Sequence, residues 1–243
     1  VKKDKGSTFL SLREQKAAEK KFGGYVEEID VIMALEAMQR NGHNLGLGVF
    51  ECEGLYDTPK LAPVHFDEKT DWISFNCAGT DRKRSVHGVH FFVDDYIFER
   101  TWHDPRRYAL LLSEFKAAMT PDFSLFTDYP RAVQIYNHYR KHLIGAYWQS
   151  MGITVIPSIC WSDHDSFEWC FDGEPVGGCV AVSSVGTQKS PTARALFMDG
   201  YNEMLRRLKP EKIIFFGDVP SACEGNIERH DPFYKAVHAR RRC

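Results

Sequence analysis

Acidic side chains follow several of the apolar, strand-like segments of this sequence. Asp94 and Asp95 stand at the end of one such segment, Asp163 follows another, and Asp218 follows a third. If these segments form parallel strands, their carboxyl ends share one edge of the sheet, which is where α/β proteins bind ligands. Carboxylate oxygens that converge from several strands are typical ligands of hard divalent cations. We therefore predict that Asp94, Asp163 and Asp218 bind Mg²⁺ or Mn²⁺.

An acidic edge of this kind supports two hydrolytic chemistries. A bound metal ion can activate water for attack on a phosphodiester or related bond, with Asp94, Asp95 and Asp163 as the catalytic residues. A pair of carboxylates can instead provide acid–base catalysis at a glycosidic bond. Asp122 and Asp128 flank a further strand-like segment and add to the acidic residues of this edge. The alternative without chemistry is that these residues occupy loops and helix caps, where aspartate is common.

The segment SSVGTQKSPTAR, residues 183–194, leads from a predicted strand into a predicted helix. Backbone N–H groups at the start of a helix bind anions, and Lys189 adds a positive charge. We therefore expect Gly186, Thr187, Lys189 and Ser190 to contact a phosphate group. The segment lacks the GxxxxGK[ST] pattern of a P-loop, and a capped loop without a ligand is the alternative.

Two further patterns have structural explanations. The sequence VHGVH places His87 and His90 three residues apart, so on a strand they point to opposite faces and form no shared metal site. The predicted helix at 130–152 interleaves aromatic and basic residues, among them Tyr136 and Lys141, and such an arrangement can stack on single-stranded nucleic acid. Its residues also fit one buried helical face, and core packing is the favoured interpretation.

The elements that would position these residues alternate between strands and helices. Strand-like apolar segments lie at residues 47–52, 72–77, 89–95, 117–126, 153–161, 178–186 and 212–217. Amphipathic segments predict helices at 25–40, 105–115, 130–152 and 190–208. This alternation indicates an α/β fold with a mainly parallel sheet and flanking helices. Seven candidate strands favour a barrel-like arrangement over an open sheet, and antiparallel pairing is expected within residues 47–77, where no helix separates the segments.

Length and charge bound the domain organisation. The chain has 243 residues, of which 43% are hydrophobic, enough for one large core. We predict a basic N-terminal segment at 1–24 and a single α/β domain at 25–243, with an extra N-terminal helix and a short basic C-terminal tail. Residues 1–21 hold seven basic and three acidic residues, a net charge of +4, and residues 240–242 add +3. Such basic ends favour nucleic acid or another polyanion as a partner, and solvated, frayed ends are the alternative.

Cysteine usage and hydropathy point to a cytoplasmic protein. The seven cysteines are irregularly spaced and include no CxxC pair, which favours free thiols over a disulfide framework or a zinc site. No apolar stretch approaches the ~20 residues of a membrane span, and the first residues lack the apolar core of a signal peptide. We therefore expect cytoplasmic localisation and no membrane partner.

Four sequence blocks carry a family resemblance. They are VHFFVDDYIFERTWHDPRRY, TPDFSLFTDYPRAVQIYNHYR, IGAYWQSMGITVIPSICW and FDGEPVGGCVAVSSVG, which occur in this order between residues 89 and 186. Over roughly residues 45–217 the chain resembles the bacterial and phage family catalogued as domain of unknown function 4417. The resemblance implies a protein of a phage or other mobile element, and it implies no catalytic residue.

Two functional hypotheses follow from these patterns. The first is a metal-dependent hydrolase of a phosphate-containing or nucleic-acid substrate, which joins the acidic edge to the anion-binding loop. The second is a non-catalytic protein of a phage or mobile element that binds nucleic acid or a host protein. Convergence of the acidic residues in space distinguishes the two, because only the first hypothesis requires it.

Overall fold

The computed structural model of the protein describes residues 42–232. The chain divides into two compact units, Val1–Gly48 and Val49–Cys243. Of the first unit only residues 42–48 are described, and they form a turn that is closed by a hydrogen bond from the Leu47 N–H to the Asn44 carbonyl, 3.1 Å apart. The helix predicted at 25–40, the domain boundary predicted at residue 24 and the basic tail lie outside the described residues.

The described part of the second unit contains nine strands. They are β1 (Cys52–Glu53), β2 (Thr58–Pro59), β3 (Asp71–Ser74), β4 (His87–His90), β5 (Ala117–Met119), β6 (Val155–Ile156), β7 (Cys179–Ser183), β8 (Lys212–Phe216) and β9 (Ile227–His230). Strands β3 to β6 form one parallel sheet in sequence order, and β7 to β9 form another. A parallel bridge between Ser158 and Ala181 joins the two sheets where β6 meets β7. The predicted parallel α/β architecture is therefore confirmed.

The region before β4 differs in part from the prediction. The expected antiparallel pairing occurs between β1 and β2, whereas the strand that contains Trp72 pairs parallel with β4. That strand ends at Ser74 instead of continuing to Cys77, because residues 75–78 turn into a short helix. This helix and the 3₁₀ turn Arg84–Val86 form the crossover that a parallel pair requires, although it is too short to be recognised from hydrophobic periodicity.

Six helices accompany these strands among the described residues. They are α1 (Phe75–Ala78), α2 (Asp95–Phe98), α3 (Arg100–His103), α4 (Pro105–Leu112), α5 (Arg131–Ser150) and α6 (Pro191–Leu208). Helix α6 begins as predicted, since the Ser190 hydroxyl oxygen accepts a hydrogen bond from the Ala193 N–H and Pro191 follows in the first turn. A 3₁₀ helix, His164–Glu168, lies between β6 and β7. Within residues 42–232, no helix combines the length and the hydrophobicity needed to cross a membrane.

The parallel strands curl strongly. Strands β4 and β8 are four places apart in the strand order, which would separate them by about 19 Å in a flat sheet. The rings of His90 in β4 and Phe216 in β8 nevertheless lie 4.6 Å apart between centroids, and Phe92 contacts the same phenylalanine. The sheet therefore bends toward a barrel-like shape, although within residues 42–232 no strand pairing joins β3 to β9.

Side chains of β7 and β8 alternate between two environments. Val180, Val182, Ile213 and Phe215 pack in one hydrophobic cluster with the apolar stripe of α6. Phe216, the next residue along β8, points to the other face and meets His90. The outer face of these strands thus anchors α6, and the inner face meets the facing strands of the curled sheet.

Helix α5 is buried on almost every side. Its apolar residues Leu143, Ile144 and Trp148 are in the core, as the core-packing interpretation predicts. Six polar or charged residues of the same helix are buried as well: Gln134, Asn137, His138, Arg140, Lys141 and His142. Buried polar groups need partners, and α5 therefore carries a polar network into the interior.

Candidate functional site

A small cleft lies at the carboxyl ends of strands β4 to β7. Its volume is about 80 Å³. The residues that line it come from the segments that follow these strands and from α6: Phe92, Asp122, Ile159, Cys160, Trp161, Ser183, Thr187 and Phe197. This is the edge at which parallel α/β folds bind ligands, and the cleft combines aromatic walls with two hydroxyls, a thiol and one carboxyl group.

Asp122 provides the carboxyl group of this cleft. It follows β5 directly after Pro121, and its Oδ1 is buried without a hydrogen-bond partner. Burial raises the pKa of Asp122 from 3.8 to about 7; the charge of Lys141 opposes this rise, and the charge of Asp95 adds to it. A carboxyl group with a pKa near neutral pH can both donate and accept a proton, which is the property of a general acid–base catalyst.

Cys160 lies beside Asp122 in the cleft, and its thiol opposes the rise in the pKa of the Asp122 carboxyl group. Burial and the charge of Asp122 raise the pKa of the Cys160 thiol well above its ordinary value. The thiol is therefore uncharged at neutral pH, whereas nucleophilic cysteines need the thiolate. Cys160 is thus an uncharged neighbour of Asp122 in this cleft.

The adjacent acidic residues Asp94 and Asp95 have different surroundings. Asp94 is exposed at the start of α2, and its side chain makes no capping hydrogen bond there. Asp95 accepts two hydrogen bonds from Ser124, one from the hydroxyl at 2.7 Å and one from the backbone N–H at 3.0 Å. Asp95 thereby fixes the chain that follows Asp122.

Asp163 and Asp218 each have an arginine partner. A guanidinium nitrogen of Arg131 lies 2.9 Å and 3.0 Å from the two carboxylate oxygens of Asp163, which also caps the 3₁₀ helix through the Ser166 N–H. Although partial burial opposes it, Arg131 holds the pKa of Asp163 below its ordinary value. Asp218 lies 3.2 Å from Arg229. Two of the three carboxylates for which a metal ion was predicted thus each have an arginine beside them.

The predicted phosphate-binding residues separate into two groups. Thr187 lines the cleft, and its hydroxyl donates to the Ser184 carbonyl at 2.8 Å. Ser190 uses its hydroxyl oxygen to cap α6, while Gly186 and Lys189 are exposed. Of these four residues, Thr187 is the one that shares the cleft with Asp122.

A different set of side chains meets the geometric requirement for a metal site. Within residues 42–232, the donor atoms of His138, His142 and Glu174 all lie within 4.8 Å of one another, and Asp94, Asp163 and Asp218 form no such group. His138 and His142 are one helical turn apart on α5, and Glu174 comes from the loop after the 3₁₀ helix. All three side chains are buried. We call this set the His–Glu cluster.

Lys141 pairs with Glu174 beside this cluster. Their side chains are 1% and 0% exposed, and the lysine ammonium donates to Glu174 Oε1 and to the Ser158 carbonyl. Although burial opposes both shifts, the mutual attraction raises the pKa of Lys141 and lowers the pKa of Glu174. The two residues therefore form a charged pair in the interior.

Sequence reasoning missed the His–Glu cluster and gave Asp122 no individual role. The signal for the histidines was present, since HYRKH places two histidines four residues apart on a predicted helix, and this spacing puts them on one face. Glu174 lies in a loop 32 residues further on, and no local pattern connects it to them. The sequence placed Asp122 among the other acidic residues of the edge, and only its burial in the folded protein distinguishes it from them.

The raised pKa of Asp122 predicts a pH-dependent gain in stability for Asp122→Asn. Between pH 3.8 and about 7, Asp122 keeps its proton in the folded state and has lost it in the unfolded state. The free energy of unfolding of the wild-type protein therefore decreases as the pH rises through this window. The asparagine variant lacks this loss. Relative to wild type, its free energy of unfolding should increase from pH 4 to pH 8, by at most about 4 kcal/mol for a shift of about three units.

Urea denaturation of both proteins across this pH range measures the difference. Asp128→Asn is the matched control, because Asp128 is exposed and lies in the same segment. A difference between Asp122→Asn and wild type that is constant with pH would contradict the assignment.

The fold and the cleft together define a parallel α/β protein with an acidic residue at the carboxyl edge of its sheet. Residues 50–231 match the model of DUF4417, a domain of unknown function, and the chain belongs to this family. It is 40% identical over 177 residues to the Gene 1 protein of Mycobacterium phage L5, covering 70% of this chain and 75% of that protein. It is 41% identical over 185 residues to the Gene 1 protein of Mycobacterium phage D29, covering 73% and 66%. No solved structure matched the chain.

Proposed function

We propose that this protein is a hydrolase whose active site is the cleft at the carboxyl ends of β4 to β7, with Asp122 as its general acid–base. The observation that carries the proposal is the Asp122 carboxyl group, which has a buried Oδ1 without a partner and a pKa of about 7. A group of this kind is unfavourable for stability, and such groups are concentrated at functional sites. The cleft also meets the other requirements of a site, since it is concave and has aromatic walls.

The proposed substrate is a phosphate ester, including nucleic acid. The cleft holds about 80 Å³, which suits a single small group of a substrate and leaves the rest of the substrate outside. Thr187, in the loop before α6, lines the same cleft, and the exposed Lys189 lies two residues further along the chain. This loop supports binding of an anionic group near Asp122.

Divalent-metal dependence is part of the same proposal. None of the eight residues that line the cleft is basic, and a phosphate beside the ionised form of Asp122 would be repelled. A Mg²⁺ or Mn²⁺ ion at the cleft edge would supply the missing positive charge. We propose Asp94, which is exposed, as a ligand of this ion, whereas Asp163 and Asp218 would have to exchange an arginine partner for it.

Hydrolysis assays test this function directly. Bis(4-nitrophenyl) phosphate, single-stranded DNA, double-stranded DNA and RNA are incubated with the protein, with and without Mg²⁺ or Mn²⁺. We expect metal-dependent hydrolysis of at least one of them, with a rate that changes near pH 7. Asp122→Asn should lower this rate about 100-fold, because loss of a general acid–base typically costs at least that factor.

The matched control for the assay is again Asp128→Asn, which should retain the wild-type rate. The rival function is a non-catalytic protein that binds nucleic acid, and the net positive charge of the two chain ends favours it. Binding of DNA or RNA without turnover, unchanged in Asp122→Asn and weakened by salt, would support the rival and exclude the hydrolase.

A further inference from the structure

The two histidines of the His–Glu cluster each have one nitrogen fixed by a backbone carbonyl. His138 Nε2 lies 2.9 Å from the Asp172 carbonyl oxygen, and His142 Nδ1 lies 2.8 Å from the Pro59 carbonyl oxygen. A carbonyl oxygen only accepts hydrogen bonds, so these two nitrogens carry the N–H groups. In a neutral imidazole the remaining nitrogens, His138 Nδ1 and His142 Nε2, then carry lone pairs.

Both lone pairs face the interior beside Glu174 and lack a proton donor. His138 Nδ1 is buried without a hydrogen-bond partner. His142 Nε2 lies 3.1 Å from Glu174 Oε1, where a lone pair meets a carboxylate oxygen that has no proton to offer. Glu174 Oε2 is also buried without a partner. The three residues thus bring buried ligand atoms within 4.8 Å of one another, and a cation held between them would satisfy the unpaired donors.

We propose that His138, His142 and Glu174 bind a borderline divalent transition-metal ion of the Zn²⁺ class inside the fold. Two histidine nitrogens and one carboxylate oxygen form a ligand set that suits Zn²⁺ better than Mg²⁺, which prefers oxygen ligands. Histidine ligands typically donate their second N–H to a backbone carbonyl or a carboxylate, as both rings do here. This site is separate from the Asp122 cleft and does not depend on the proposed hydrolase activity.

The dimensions of the cluster are compatible with such an ion. Ligands about 2.1 Å from a tetrahedral ion are separated from one another by roughly 3.4 Å. One ligand atom from each of the three residues already lies within 4.8 Å of the other two, so shifts on the order of 1 Å close the site. Glu174 can offer Oε2 to the ion while Oε1 keeps its contact with Lys141.

Lys141 gives the proposal a distinctive consequence. Its ammonium group contacts the same carboxylate as the ion and therefore repels it across a short, buried distance. Lys141→Met removes this repulsion and should bind the ion at least about tenfold tighter than wild type. A purely structural role of the cluster predicts no such gain.

The test uses the 243-residue chain after removal of metals with a chelator. Thermal melts are recorded with Zn²⁺, Co²⁺ and Mg²⁺, and the visible absorption of added Co²⁺ reports coordination by the protein. At a free Zn²⁺ concentration about 100 times the dissociation constant, we expect the melting temperature to rise by about 5–10 °C. Mg²⁺ should give no comparable rise, and Co²⁺ should develop the absorption of a low-coordinate site.

Two ligand variants and one control complete the experiment. His138→Gln and Glu174→Gln should lose both the Zn²⁺-dependent rise and the Co²⁺ absorption, whereas His164→Gln should keep them, because His164 is exposed and pairs with Asp199. If a variant fails to fold, the wild-type spectrum and melts still decide the question. A wild-type protein with neither response, or one whose response survives in His138→Gln, would overturn the proposal.

Discussion

Glu174→Gln should lower the free energy of unfolding of the metal-free protein by about 3–5 kcal/mol, because it leaves the Lys141 ammonium buried without a counter-charge. Because Lys141 is only 1% exposed, water cannot replace the lost carboxylate. The other hydrogen bond of the ammonium group is to the uncharged Ser158 carbonyl. His142 also loses its contact with Glu174. The loss is large because the cost of a buried, unpaired charge is added to the loss of the pair itself.

Urea denaturation in the presence of a chelator measures this effect. Glu51→Gln is the control, since Glu51 pairs with Lys60 on the surface, where an ion pair contributes at most about 1 kcal/mol. The double variant Lys141→Met/Glu174→Met removes both charges and should regain most of the stability that Glu174→Gln loses. A Glu174→Gln protein that is as stable as Glu51→Gln would show that Lys141 is not held as a buried charge.

Gly173→Ala is expected to destabilise the fold by about 3–4 kcal/mol through two separate costs. Gly173 has a φ of +76°, a backbone conformation that costs a residue with a Cβ about 1–2 kcal/mol. An added Cβ would also lie 2.7 Å from the Pro59 carbonyl oxygen and 2.9 Å from His142 Nδ1, the two atoms of one buried hydrogen bond. Neither atom can move away without breaking that bond, so overpacking adds a further cost.

Gly152→Ala separates the two costs. Gly152 has a similar φ of +81°, but an added Cβ would meet no atom within 4 Å. Its alanine variant should therefore lose only the conformational part, about 1–2 kcal/mol. Denaturant unfolding of both variants gives the difference, which measures the steric cost at Gly173. Equal losses in the two variants would contradict close packing of residue 173 against Pro59.

Local sequence features were sufficient to predict the three longer helices α4, α5 and α6, several strands and the parallel sheet. Apolar segments predicted β7 and β8 close to their observed bounds, whereas the segment at 89–95 overlaps β4 only at residues 89 and 90. The helix predicted at 190–208 matches α6. Strand alternation with helices gave the parallel direction, because a helical crossover returns the chain to the same edge of the sheet. These features depend on neighbours within one turn or one strand, and a sequence displays such neighbours directly.

The tertiary structure decided which aspartate is paired with an arginine and which is buried with a raised pKa. Asp163 was predicted to be a metal ligand from its position after a strand-like segment, and only the structure shows that its carboxylate pairs with Arg131, 32 residues away. Asp122 looked like its neighbours in the acidic edge, and only packing buries its Oδ1 and raises its pKa to about 7. Burial and charge pairing depend on what distant segments place around a side chain, and no local pattern encodes them.

The His–Glu cluster shows the same division within one site. The spacing of His138 and His142 on a helix is a local property, and the sequence by itself determined that they share a face. The three-dimensional fold brings Glu174 from one loop and the Pro59 carbonyl from β2 to these histidines. Pro59 lies 83 residues from His142 in the sequence. Hydrogen bonds to backbone atoms leave no mark on residue identity, so the orientation of these rings could be known only from the structure.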